Sequence, residues 1–344
     1  MTELERRYRR VLRLLPASYR QAWEQDMVAT FLAGAVPDDP EDAEFTAEYG
    51  RPGWAEVVSV LGLAVRLRLG GAGAPAHFRV WGGAMQRAAL AVLLVYAVNA
   101  LAGVRMLLWL PLRFPGLVVL GQSGAAALLG LSWVAAYLAL VLGHRQLARL
   151  LMGLSLLLSA VTAGAAVVAG GGAYWGSRVA ELLVSAFAVV AASAAFHRDA
   201  EPVRSRPWLT ALPVGAVLVT VVLLLIQHPG DGVLVDGPGL ACAALIAAVL
   251  FQQITSAAER GGSAGMWPVA LVLLTFAALG LRVVTLLDYL TFTARASRPN
   301  ALVTAAIVEA VVLVLVTGPL AVRAFRTLPR ATHPADPRAG SRDA

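Results

Sequence analysis

The chain contains no lysine: all 28 of its basic residues are arginine. A Walker-type phosphate lysine, a Schiff-base lysine and a kinase-type ATP lysine are therefore excluded. The one cysteine, Cys242, permits neither an intramolecular disulfide nor a multi-cysteine zinc site. Charge is scarce too: 14% of the 344 residues carry one, against about a quarter in an average soluble domain. That shortfall excludes an ordinary soluble enzyme, a disordered protein and a secreted disulfide scaffold. What is present instead is 58% hydrophobic residues and a mean hydropathy of +0.71. Most of the surface needs a low-dielectric solvent.

The few charges are unevenly placed. Residues 1–87 hold 11 Arg and 11 Asp plus Glu, and beyond them lie long apolar runs with short polar breaks. An apolar run that begins this late does not fit a cleavable signal peptide, so the first span is expected to act as an uncleaved anchor. A bilayer core takes about 20 apolar helical residues. Eight segments meet that length: Ala88–Val104, Gly116–Leu142, Leu150–Gly170, Val179–Phe196, Trp208–Gln227, Gly239–Ala258, Met266–Leu290 and Ala301–Val322. None alternates polar with apolar as a barrel strand does, so each is expected to be a helix. Met106–Pro115 is read as a candidate dipping loop. The fold expected is all-α: a polytopic bundle of about eight membrane helices behind a small N-terminal helical domain. The domains are residues 1–80, 81–328 and a flexible tail, 329–344.

Arginine also orients the chain. With the N-terminus cytoplasmic, the inner loops and tail carry 11 Arg (residues 145, 149, 198, 204, 206, 260, 323, 326, 330, 338 and 342). The outer loops carry five, at 105, 113, 178, 295 and 298. The positive-inside rule then puts both termini in the cytoplasm of a cell whose plasma membrane holds the protein. Trp208 and Trp267 fall at inner helix ends, and Trp175 and Tyr289 at outer ones, as interfacial aromatics should.

In the N-terminal region, residues 3–15 fit a two-faced helix. Leu4, Tyr8, Val11, Leu12 and Leu15 fall on one side, and Arg6, Arg9, Arg10 and Arg13 on the other. Pro16 interrupts it, and Ser18 is expected to cap a second helix running to about Ala33, with Tyr19, Trp23, Met27 and Phe31 in one apolar stripe. An acidic, proline-containing link, Val36–Glu48, follows, and then a third helix, Trp54–Leu69, apolar around most of its circumference. The three helices read as a small bundle. Its Arg6, Arg9, Arg10 and Arg13 face also suits anionic lipid headgroups, so membrane lipids and a cytoplasmic protein partner of residues 1–70 are the partners expected. Nucleic acid is not, because acids equal bases here and no helix-turn-helix pattern occurs.

The run from Leu4 to Arg20, the run from Glu24 to Leu32, and Gly53-Trp54-Ala55-Glu56-Val57 through Arg68 together resemble the HAAS-type or permease-prefix domain of actinobacterial multi-pass membrane proteins. The all-arginine, alanine-rich composition resembles a high-GC actinobacterial proteome. The resemblance implies a helical prefix ahead of a membrane domain, sometimes encoded beside PadR-like regulators. It implies no catalytic residues.

Two serine motifs occur. Gly261-Gly262-Ser263-Ala264-Gly265 has the spacing of a nucleophile elbow but sits in a short loop between two membrane helices, not between a strand and a helix. Gly121-Gln122-Ser123-Gly124 is similar to the rhomboid-type G-x-S-G, yet none of the eight segments contains a histidine to take a serine proton. The five histidines, His77, His144, His197, His228 and His333, lie in loops or at segment ends. No His or carboxylate shares a ligand-spaced helix face, so neither metal nor cofactor is expected, and the protein reads as non-enzymatic.

The informative polar residues are intramembrane charges. Arg282 lies in the seventh segment and Glu309 in the eighth, 14 residues before and 13 after a turn centred near Ala296. At about 1.5 Å of rise per residue the two reach nearly equal depth, and a direct ion pair is expected. Glu181 and Asp288 lie nearer the outer ends, within reach of Arg178 and Arg295. Two readings stay open for these charges: ion pairs that fix the bundle, or a polar path used by a small-molecule transporter or permease subunit. The function expected is sensing, regulatory or structural, through the helical prefix.

Overall fold

The computed structural model describes residues 1–35, 39–72, 74–113, 122–168, 175–197, 200, 202–225, 237–258, 265–296 and 301–327. Every regular element among them is a helix, and there are twelve. By contacts the chain divides into two compact units, Met1–Gly83 with His197–Ala200, and Ala84–Phe196 with Glu201–Thr327.

The first unit holds α1 (Glu3–Leu12), α2 (Ala17–Ala35), α3 (Pro40–Tyr49), α4 (Trp54–Arg68) and the opening turns of α5 (Ala76–Arg113). Thr2 caps α1, its hydroxyl accepting from the Glu5 N–H at 3.2 Å. Glu3 and Glu5 in the first turn and Arg9 and Arg10 in the last suit the helix dipole. Leu4, Tyr8, Leu12 and Leu15 are buried with Val28, Val60, Ala64 and Leu67, and the Tyr8 ring stacks on Phe31 at 4.0 Å.

Three expectations need correction here. Ser18 does not cap α2; the helix starts one residue earlier, with the Pro16 carbonyl accepting from Tyr19 and Arg20, because proline's fixed φ is preset for a helix start. The stripe on α2 is incomplete: Tyr19, Met27 and Phe31 pack on the core, whereas Trp23 is exposed and Val28 is buried in its stead. A four-residue repeat drifts about 40° per step around an α-helix, and the packed side lies toward Phe31 and Val28, about 80° and 140° round the helix from Trp23. Most of the acidic link is a helix, α3. Asp39 caps it, accepting from the Glu41 N–H at 3.1 Å, Pro40 opens it, and Glu41 and Asp42 occupy its positive end. Its far end is closed by Arg7, whose Nη1 donates to the Tyr49 and Gly50 carbonyls at 3.0 and 2.7 Å.

α4 ends in a Schellman turn. Gly70 sits at φ +84°, its N–H donating to the Leu67 carbonyl and that of Gly71 to the Arg66 carbonyl. The chain then folds back so closely that a Cβ on Gly82 would stand 1.9 Å from the Leu69 carbonyl oxygen. The same carbonyl lies 3.3 Å from His197 Nε2.

The second unit continues α5 and adds α6 (Gln122–Val141), α7 (Arg145–Val168), α8 (Trp175–Ala195), α9 (Ser205–Leu225), α10 (Gly237–Ala258), α11 (Met266–Ala296) and α12 (Ala301–Thr327). Among the described residues, seven helices, α5 and α7 to α12, are long and apolar enough to cross a membrane. At the expected second span, α6 contributes a shorter apolar stretch, Ala127–Val141. This is a polytopic helical bundle. Met106–Arg113 is not a loop but the end of the 38-residue α5. Its Leu and Trp residues carry no helix breaker before Pro111, so the helix continues through them. Large apolar side chains such as Leu150, Phe251, Phe276 and Leu315 point outward, the arrangement a hydrocarbon solvent favours. One buried cluster joins α5, α6, α7, α8 and α9 around Leu93, Trp133, Tyr137, Met152 and Trp208. A second joins α10, α11 and α12 through Val249, Leu271 and Leu320.

The close approach at Gly82 yields a prediction. Gly82→Ala should destabilise the α4–α5 junction by about 1–3 kcal/mol, the usual cost of overpacking. Hydrogen exchange of the full chain should show faster exchange at Val65–Gly71 and no change in α10–α12. Unaltered exchange at Val65–Gly71 would mean the junction is not tightly set.

Candidate functional site

A buried ion pair of the membrane unit lies between α11 and α12. On α11, Thr275, Arg282, Thr285 and Tyr289 recur at seven, three and four residues and are all buried. They form one inward polar stripe. On α12, Ala306, Glu309, Leu313, Thr317 and Leu320 follow the same periodicity, and all but Glu309 are buried. The two helices lie against each other. Arg282 Nη2 stands 2.5 Å from Glu309 Oε2; the arginine side chain is 1% exposed and the glutamate 22%. Isolated in hydrocarbon, either charge would cost at least about 3 kcal/mol, so the ionised forms need each other.

Around this pair the polar atoms satisfy each other or the backbone. Thr275 donates to the Leu271 carbonyl at 2.9 Å and faces the Thr317 hydroxyl at 3.3 Å. Thr285 donates to the Leu281 carbonyl at 2.7 Å. Gln253 on α10 donates to the Val316 carbonyl at 2.8 Å, in the turn that Pro319 interrupts.

Asp288 makes a contact that joins α11 to α8. Its carboxylate accepts from the Ser177 N–H at 2.7 Å and from the Ser177 hydroxyl, so it sits on the N-terminus of α8. There the free N–H groups and the helix dipole favour an anion. A Cβ on Gly176 would stand 2.8 Å from Asp288 Oδ1, so a glycine is what admits the carboxylate. Glu181 lies one turn further along α8, where its backbone carbonyl accepts from the Tyr96 hydroxyl at 3.0 Å. At the other end, Arg87 lies 5.7 Å from the Trp267 ring centre, and Trp208 stacks beside Trp267 at 6.1 Å. The two tryptophans read as interfacial thus share one corner of the bundle.

In the first unit the basic face of α1 is bound up with acids. Arg6 Nη2 is 2.7 Å from Glu3, Arg10 3.5 Å from Glu3, and Arg9 2.9 Å from Glu5 and 3.0 Å from Glu24. Hydrogen bonds to Glu5 first, and then to Glu24, hold the Arg9 guanidinium above its ordinary pKa. Arg13, the C-cap of α1, is exposed. The Tyr8 hydroxyl donates to Glu56 Oε1 at 2.8 Å, and burial, followed by that carboxylate, pushes the phenol well above its usual range. Two clefts flank this core. One of about 520 Å³ is acidic, with Asp26 and Glu56 beside Tyr8 and Phe31. The other, of about 450 Å³, is basic, lined by Arg7, Arg10, Val11, Arg51, Pro52 and Val57.

Ser263 lies outside the described residues, as do His228 and His333; Ser123 falls in the first turn of α6. Among the described residues, no three His, Cys, Asp or Glu gather where they could hold a metal ion. No known protein family, curated protein or solved structure matches the chain.

Two features were missed from the sequence, the Asp288–Ser177 tie and the Tyr8–Glu56 bond. Each joins helices distant along the chain, and helical periodicity ranks faces without naming neighbours. The buried stripe on α11 had a signal, the spacing of Thr275, Arg282, Thr285 and Tyr289.

Breaking a buried ion pair from one side costs about 3–5 kcal/mol, because the remaining charge stays buried alone. Glu309→Gln should therefore destabilise the chain in mixed detergent unfolding by an amount in that range. The double variant Arg282→Gln/Glu309→Gln should lose less. Additive losses would show that the two side chains do not depend on each other.

Proposed function

We propose that this is a non-enzymatic integral membrane protein whose N-terminal helical unit serves sensing or regulation, the membrane helices being its anchor. The observation that supports this reading is that residues 1–83 have an apolar core of their own, from Tyr8 on α1 to Leu67 on α4. Such a unit is built to meet something besides the spans. The arginine imbalance of the loops supports a plasma-membrane protein with both termini in the cytoplasm. The resemblance of the prefix to HAAS-type and permease-prefix domains points the same way, toward an actinobacterial membrane protein with a cytoplasmic protein partner for residues 1–70.

A second reading, a transporter or permease subunit with a polar path near Arg282 and Glu309, draws on one observation. Glu309 keeps part of its side chain accessible beside a fully buried arginine.

The two readings part on deletion of residues 1–70. Under the regulatory reading the shortened chain still inserts and folds, while cells carrying it show the transcript profile of a strain lacking the whole protein. Loss of insertion would overturn the modular division. A profile like that of the intact chain would favour transport. Reporter fusions at both ends, one active only in the cytoplasm and one only outside, check the topology.

A further inference from the structure

α4 carries two apolar rows, about 120° apart around the helix. One holds Val60, Ala64 and Leu67 in the core of the first unit. The other presents Trp54, Val58, Leu61 and Val65, which are 84%, 61%, 48% and 40% exposed. At 100° per residue these four fall within a sector about 60° wide. Arg66 and Arg68 project on either side of it, and Arg68 Nη2 also donates to the Leu14 carbonyl at 3.0 Å. Val57, one turn before Leu61 on the same helix, lines the basic cleft that holds Arg7, Arg10 and Arg51. An exposed apolar row with a tryptophan at one end, bordered by arginines, has the composition of a helix that lies in a lipid–water interface.

Chain continuity puts a bilayer within reach. The end of α4 rests on the first turns of α5, at the contact of Gly82 with the Leu69 carbonyl. α5 then runs on as a candidate membrane span through Arg105. We infer that α4 docks on the bilayer that α5 enters, with Trp54, Val58, Leu61 and Val65 in the interface and anionic headgroups at Arg51 and Arg66. This differs from the arginine face of α1, where Glu3, Glu5 and Glu24 already take the guanidinium groups. A second copy of the chain is the poorer occupant. Two α4 helices brought together along this row would set the arginines of one against those of the other, whereas anionic lipid neutralises them.

This inference rests on the reading of residues 1–83 as a unit of their own. It is tested on the full chain in vesicles of phosphatidylcholine, with and without phosphatidylglycerol. The buried Cys242 is replaced by serine, and an environment-sensitive fluorophore is placed by Val58→Cys or, as a control on exposed α2, by Gln21→Cys. The label at 58 should shift to the blue, be quenched by nitroxide carried on the lipid, and be quenched more with phosphatidylglycerol present; the label at 21 should stay aqueous. Equal, aqueous behaviour at both positions would overturn the docking. So would a label at 58 shielded from water but insensitive to lipid nitroxide and self-quenching at high protein density, the sign of a second copy. Lipid quenching at both positions would overturn the assignment to α4. Failure of docking leaves the outcome of the 1–70 deletion standing, and failure of the deletion test leaves the depth of label 58 unchanged, so the two are told apart.

Discussion

Hydrocarbon offers no partner to a charge, and the membrane unit is organised around that fact. Arg282 is fully buried there, and Glu309 on the next helix stands against its guanidinium. Because the pair joins α11 to α12, it sets their axial register. The same logic runs through the neutral polar groups. Tyr137 on α6 donates to the Trp208 carbonyl of α9 at 2.7 Å, and Gln86 on α5 to the Ala195 carbonyl of α8 at 3.0 Å. Ser155 on α7 bonds Ser132 on α6 at 2.8 Å. Each of these crosses from one helix to another, where lipid would have left the group unbonded. Singly they contribute about 0.6 kcal/mol. Their larger effect is on register, since a helix shifted by one turn would strand both partners.

These ties also explain how two apolar clusters make one unit. The five-helix cluster of α5 to α9 and the three-helix cluster of α10 to α12 are each held by close packing. Between them the joints include polar and aromatic ones. Asp288 of α11 caps α8 at one end, and Arg87 of α5 reaches Met266 and Trp267 of α11 at the other. Packing alone distinguishes poorly between neighbours inside a membrane, because lipid tails are as apolar as leucine. An aspartate on a helix N-terminus has a direction and a fixed reach, so it selects which helix end lies beside α11.

What could be read from the sequence follows from which quantities are local. Span number and position depend on composition over about 20 residues, and they emerged with α6 the shortest apolar stretch. The depth match of Arg282 and Glu309 depends only on helical rise across a short turn, so it too was readable. The ends of elements were less so. Asp39-Pro40-Glu41-Asp42 is a strong helix-start signal, but the surrounding acidity and the prolines resemble a linker, and α3 went unseen. On α1 the arginines segregate to one face as periodicity requires, yet periodicity is silent on whether Glu3, Glu5 and Glu24 turn toward them. Net charge on a face is set by side-chain partners, and Glu24 comes from another helix. The tie from Asp288 to Ser177 spans 111 residues, and nothing local encodes it.

The two-faced character of α4 bears on how a small helical unit could act as a switch. Its inner face is needed for folding, and its outer face is not. Leaving Trp54, Val58, Leu61 and Val65 in water forgoes about 1.5–3 kcal/mol for each side chain that would otherwise be buried, a large sum beside the 5–15 kcal/mol that holds an ordinary domain together. A surface of that kind persists where it is covered in the working state. If the cover is lipid, the apolar row and its arginines act together, since headgroup attraction adds about 1 kcal/mol per arginine and is screened by salt. Such binding is strong enough to hold a helix already tethered to the membrane and weak enough to be released by a change of surface charge. Release would uncover an apolar face without disturbing the core, because Leu12, Val60 and Leu67 are buried away from that face. A protein partner competing for that face would then sense the charge of the membrane.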